Sequence, residues 1–173
     1  FIACFSEASG TSLDRFMVWY RQAGTPQVTI TEQHDPATGE YRLGFHQMTP
    51  ATPGQSKKEA VVLPIALGFL TRKGEEIRPS AAHPNYHDGV FILDQQDDEI
   101  VFKGVYEKPV LSALRGFSAP VILKSSLTNE DRLVLLAHDS DPFNRWQAAQ
   151  GYATHLMTEA VQAIRNQKDV VLD

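Results

Sequence analysis

A chain of 173 residues with 42% hydrophobic and 21% charged residues has the balance of a folded protein able to bury one core, not of a disordered one. Sixteen Lys and Arg against 21 Asp and Glu leave a formal net charge of −5, and the bases are scattered, which argues against a nucleic-acid surface. The longest apolar stretch, AVVLPIALGFL at 60–70, contains Pro64 and Gly68 and is far short of the roughly 20 residues of a spanning helix, so no membrane partner is expected.

Residues 1–23 read as two short helices. Phe16, Met17, Val18, Trp19 and Tyr20 cover every face of the second, whereas a surface helix shows a one-sided stripe, so neighbours on more than one side are expected. Thr11 and Ser12 are hydroxyl N-cap candidates, Asp14 suits the first turn, Gly24 can take the left-handed cap, and Pro26 cannot continue a helix. The first ten residues, FIACFSEASG, carry Glu7 and no basic leader, and do not read as a signal peptide. The start at Phe1 suggests a piece of a longer chain. Cys4 cannot form an internal disulfide, and its apolar helical surroundings predict a buried, inert thiol.

From Val28 to about Lys124 the period changes to two. Val28 and Ile30 alternate with Thr29 and Thr31, and Tyr41, Leu43 and Phe45 with Arg42, Gly44 and His46; DPATGE at 35–40 between them has hairpin-turn chemistry. Val61, Leu63, Ile65, Leu67 and Phe69 form a longer row, in which Pro64 requires an edge or a bulge because it cannot donate to a ladder. Further strands are expected at 90–93, 99–105, 111–117 and 121–124. The pairs Lys57-Lys58 and Arg72-Lys73 read as solvated turn residues. About seven short strands in a hundred residues predict a mainly β fold: an immunoglobulin-like antiparallel β-sandwich, flanked by N-terminal and C-terminal α-helices.

The last region is helical. Thr128, Asn129, Glu130 and Asp131 are a capping signal, and Asp141-Pro142 is an N-cap followed by proline at the first helical position. The helix starting there is expected to run to about Lys168, with Phe143, Trp146, Ala149, Ala153, Leu156, Met157, Ala160 and Ile164 as its apolar stripe. LVLLA at 133–137 is apolar almost all round.

No motif carries catalysis. The metal-binding pattern His-Glu-x-x-His is missing, as are a Gly-x-Ser-x-Gly nucleophile turn and a glycine-rich phosphate loop. His83, His87 and Asp88 are a conceivable loop-borne metal site, but Pro84, Asn85 and Gly89 make loop polarity the preferred reading. His138 is expected to face helix-terminal carbonyls, and Asp139 and Asp141 to act as caps. The expected catalytic, substrate-binding and metal residues of this chain are therefore none.

Five stretches, RFMVWYRQAGTPQVTI, MTPATPGQSKK, LPIALGF, LRGFSAPVIL and DPFNRWQAAQ, together resemble the bacterial alanyl aminopeptidases of aminopeptidase N type, which are zinc metallopeptidases. The resemblance implies a four-domain parent in which residues 1–25 end the catalytic domain, 26–126 form the immunoglobulin-like third domain, and 127–173 begin a C-terminal helical domain. Zinc is then the parent's cofactor, held upstream, with none in this chain. The implied partners are the upstream catalytic domain, the downstream helical domain and peptide substrates, with no nucleic acid and no membrane, at a cytoplasmic location. The expected role is a non-catalytic connector that positions the helical domain over the catalytic cleft. The alternative is a free-standing immunoglobulin-like protein-binding module.

Overall fold

Alternation in the sequence becomes alternation in burial. Val28 and Ile30 of β1 (Gln27–Asp35) and Tyr41, Leu43 and Phe45 of β2 (Glu40–Met48) are buried, while their polar neighbours face outward. The two strands pair antiparallel from Gln27↔Met48 to Asp35↔Glu40, and the Asp35 carboxylate accepts from Ala37 N at 2.9 Å to close the hairpin. The computed structural model describes residues 1–169, and these divide into two compact units.

The first unit comprises Phe1–Ala66, Pro79–Lys108 and Ser118–Ser126. Its larger sheet adds β10 (Ile122–Lys124), parallel to β1, and β8 (Asp97–Lys103) and β5 (Ser80–Ala81) beyond β2. Facing it, the first half of β3 (Leu63–Leu70) pairs with β7 (Val90–Leu93), which pairs with β6 (Tyr86–His87). Phe45 and Phe91 stack between the sheets at 4.8 Å, among Leu43, Leu63, Ile65, Leu93, Ile100 and Phe102. Over Leu63–Ala66 β7 alone among the described residues flanks β3, and the Ala66 N–H on the other side donates to Ser118 Oγ at 3.0 Å. Pro64, two residues earlier, points its missing N–H the same way, which is the edge position its chemistry requires.

The N-terminal helices are shorter than the sequence suggests: α1 (Ile2–Ser9), a 3₁₀ turn (Arg15–Met17) and α2 (Val18–Arg21). None of their residues is fully buried, and Cys4 is exposed, contrary to the expectation of a buried thiol. Phe16 to Trp19 are half-buried or nearly so, while Tyr20 is largely exposed.

The second unit comprises Leu67–Arg78, Pro109–Phe117 and the residues from Leu127 onward. The second half of β3 pairs with β4 (Glu76–Ile77) and β9 (Val110–Ala113). Against these pack α3 (Asn129–His138) and α4 (Pro142–Arg165), with Leu70, Val110, Leu135 and Ala148 as a common core. Thr128 and Asp131 form a reciprocal capping box at α3, and Asp141 caps α4 by accepting from Asn144 N at 2.8 Å. The buried face of α4 is not the apolar stripe read from the sequence. Asn144 and Ala148 are buried, whereas Trp146, Met157 and Ile164 are 55%, 62% and 65% exposed. The correction has a polar cause: Asn144 Nδ2 donates to Ser112 Oγ at 2.7 Å and to Ala113 O at 2.9 Å, and those bonds set the helix face.

Candidate functional site

The five sequence stretches singled out above converge on two polar joints, one in each unit. In the first unit, residues 49–61 wrap the segment that leaves α2 and enters β1. Thr52-Pro53-Gly54-Gln55 closes on itself through Thr52 N–Gln55 O at 3.1 Å and Gln55 N–Thr52 O at 2.9 Å, with Gly54 at φ 79, the order a type II turn demands. The turn presents the Gln55 amide, which donates to Arg21 O at 2.7 Å and accepts from Ala23 N at 2.8 Å. Gln22 answers in the opposite sense, accepting from Glu59 N at 2.7 Å and donating to Glu59 O at 3.1 Å. Lys58 Nζ donates to Ala23 O, Thr52 Oγ1 and Gln55 Oε1 at 2.7 to 3.0 Å. Lys58 is therefore not the solvated turn residue its sequence suggests. Behind them Gln47, 3% exposed, accepts from Val61 N at 3.0 Å and donates to Val61 O at 2.9 Å and Gln95 O at 2.8 Å.

In the second unit the centre is Arg115. Its Nε donates to Ser112 Oγ at 3.0 Å, its Nη1 pairs with Glu76 of β4, and its Nη2 lies 3.0 Å from Asp139 Oδ1. Asp139, between α3 and α4, has no side-chain exposure, and its Oδ2 has no hydrogen-bond partner among the described residues. It is thus the buried counterion of Arg115, while its Oδ1 also accepts from Asp141 N at 2.9 Å. Gly68 of β3 makes room for this arrangement, because a Cβ there would stand 1.9 Å from Arg115 Cζ. Asp141 caps α4 with one oxygen and accepts from Gly116 N at 2.8 Å with the other. Arg72, read as a solvated turn residue, pairs with the buried Asp131 of the α3 capping box. His138 lies over Gly74 of the β3–β4 turn, so close that a Cβ on Gly74 would meet its ring at 2.1 Å.

The hydrogen bond from Arg115 holds the Glu76 carboxyl below its ordinary value of 4.5. A carboxyl group with a depressed folded pKa contributes stability above its unfolded value and loses it as the pH falls through the folded value. Wild type is expected to be more stable than Glu76→Gln above about pH 5, with the gap closing at lower pH. Thermal melts of both proteins across this range check it; a gap independent of pH would assign the difference to packing.

His83, His87 and Asp88 do not converge. His83 Nε2 is 3.6 Å from Asp98 Oδ1, His87 Nε2 meets Pro84 O at 2.7 Å, and Asp88 adopts φ 50 at the turn between β6 and β7. Among the described residues no group of three or more His, Cys, Asp or Glu is placed to hold a metal ion. No helix there is long and apolar enough to cross a membrane.

Residues 24–126 match the family described as "Domain of unknown function (DUF3458) Ig-like fold". The chain belongs to this Ig-like family. Residues 129–173 match a second family, described as ARM repeats. Among curated relatives, the Ig-like chain is similar to aminopeptidase N of Caulobacter vibrioides, 45% identical over 91% of this chain, and of Escherichia coli, 36% identical over 87%. It spans only 17% of the length of either. A crystal structure of Legionella pneumophila aminopeptidase A in complex with aspartic acid is similar over 99% of this chain and 18% of its own, with TM-score 0.79 and 28% identity. The Ig-like chain thus matches one segment of much longer aminopeptidases. Sequence reasoning found the stretches that form the joints but not their pairing, since Gln55 and Gln22 act across 32 to 37 residues.

Proposed function

We propose that this chain is the non-catalytic connecting part of a zinc-dependent aminopeptidase that removes N-terminal residues from peptides. Residues 1–25 end the catalytic domain, 26–126 are the connector, and 127–173 open the helical domain, which the connector holds over the catalytic cleft. The observation that carries this reading is the Arg115 joint. It ties β3, β4 and β9 to the start of α4 through a buried ion pair, the Asp141 cap and the Asn144 bonds, so the helices leave the sheet in a fixed direction. Such a joint transmits position, not chemistry. Among the described residues the conceivable ligands do not gather for zinc, since His83 and His87 are committed to separate partners. In the parent, a zinc ion would supply Lewis-acid polarisation of the scissile carbonyl and an activated water, and no residue of this chain takes part in that chemistry in this reading.

The test is zinc content together with hydrolysis of an alanyl fluorogenic amide, measured on this chain alone and after mixing with the upstream catalytic portion. The expected result is no stoichiometric zinc and no turnover alone, with altered turnover on mixing. Turnover by the chain alone overturns the proposal. So does a specific protein partner bound without the catalytic portion, which would favour an independent binding module.

A further inference from the structure

We propose that residues 49–61 act as a clasp that sets how the upstream segment joins the sandwich, with Gln55 and Lys58 as its positioning residues. The inference rests on the connector reading and names the part of this chain that would fix its upstream end. Within the motif MTPATPGQSKK, the side chains of Gln55 and Lys58 are committed to the backbone of residues 21–23.

Three features set the clasp apart from an ordinary surface loop. First, it reads backbone groups. Gln55 offers its amide to Arg21 O and Ala23 N as a neighbouring strand would, and Gln22 does the same to both backbone groups of Glu59, so each segment completes the other's hydrogen bonding. Second, the Lys58 ammonium has three donors, and all three meet neutral oxygens. Its charge is used as a directional staple and not as half of an ion pair. Third, the loop is itself held at its far end by the buried Gln47 amide on Val61. A clasp fixed at Val61 and closed on Ala23 transfers the rigidity of β2 to the segment before β1. Trp19 Nε1 on Val62 O at 3.2 Å and Arg15 on Asp94 hold the preceding turns to the same unit. The upstream segment is therefore attached through directional polar bonds as well as through the half-buried Met17, Val18 and Trp19.

The test has two arms. In this chain, Gln55→Ala and Lys58→Met are compared with wild type by amide hydrogen exchange. Exchange at Ala23 is expected to rise about tenfold or more in Gln55→Ala, while amides of β1 and β2 keep their protection. Lys58→Arg, which keeps donors within reach of the same oxygens, is expected to restore much of what Lys58→Met loses. In the full-length protein, Lys58→Met is expected to raise KM for peptides several-fold with kcat for a small alanyl amide little changed, and Lys58→Arg to reverse it. Unchanged exchange at Ala23 in Gln55→Ala overturns the clasp. Raised exchange with unaltered peptide KM in an active parent overturns its positioning role and leaves the connector reading intact. A wild-type parent without peptidase activity removes the connector reading, and the clasp then stands or falls on exchange and the Lys58→Arg rescue alone.

Discussion

Arg115→Met is expected to destabilise the second unit by about 3–5 kcal/mol, because it strands a buried carboxylate. Asp139 has no side-chain exposure, and without the Arg115 charge its carboxylate keeps, among the described residues, the hydrogen bond from Asp141 N. Glu76 and Ser112 also lose their shared donor. The asymmetry of buried pairs makes a sharper expectation: removing one partner is costly, whereas replacing both with apolar groups of similar size is often neutral. The double substitution Arg115→Met with Asp139→Leu should therefore recover most of the loss. Urea unfolding of the two single variants and the double variant gives the coupling directly. Additive losses, or a cost for Arg115→Met below about 1 kcal/mol, would mean that the pair contributes nothing specific.

Gly68→Ala is the second large effect, expected at about 2–4 kcal/mol although it adds one methyl group. The methyl would stand 1.9 Å from Arg115 Cζ and 2.1 Å from Nε, so the guanidinium must leave. An exposed arginine would swing aside at little cost. This one is held by Ser112, Glu76 and Asp139 together and is only 17% exposed. With Arg115→Ala already in place, the same methyl loses its three nearest clashes and should cost less than about 1 kcal/mol more. If Gly68→Ala costs as much in that background, the clash lies in the β3 backbone and not with Arg115.

Both expectations follow from side chains whose partners are far away in sequence. Asp139 and Asp141 both read as caps, and both are: Asp139 ends α3 with its N–H on Leu135 O, and Asp141 caps α4. Nothing local marks Asp139 as the counterion of Arg115. Lys58 and Arg72 read as solvated because each belongs to a short basic pair in a turn, and both instead donate across the fold. The α4 stripe failed for a related reason. A hydropathy pattern places Trp146 inside, and the acceptors on Ser112 and Ala113 draw Asn144 in instead.

What the sequence determined by itself was local: the alternating rows that become β1, β2, β3 and β7, the hairpin turn at Asp35, an edge or bulge at Pro64, the Thr128 and Asp141 caps, and a two-sheet fold flanked by helices. These depend on periodicity, backbone dihedrals and hydrogen bonds spanning a few residues, and a sequence states those directly. Only the tertiary structure decided the two joints, the face that α4 buries, and the two-residue strands β4, β5 and β6, which exist because a neighbour supplies their partners. A glutamine, lysine or arginine can hydrogen-bond almost any backbone or carboxylate group within reach, so its type carries little information about its partner. The fold chooses that partner by bringing one candidate to within 3 Å.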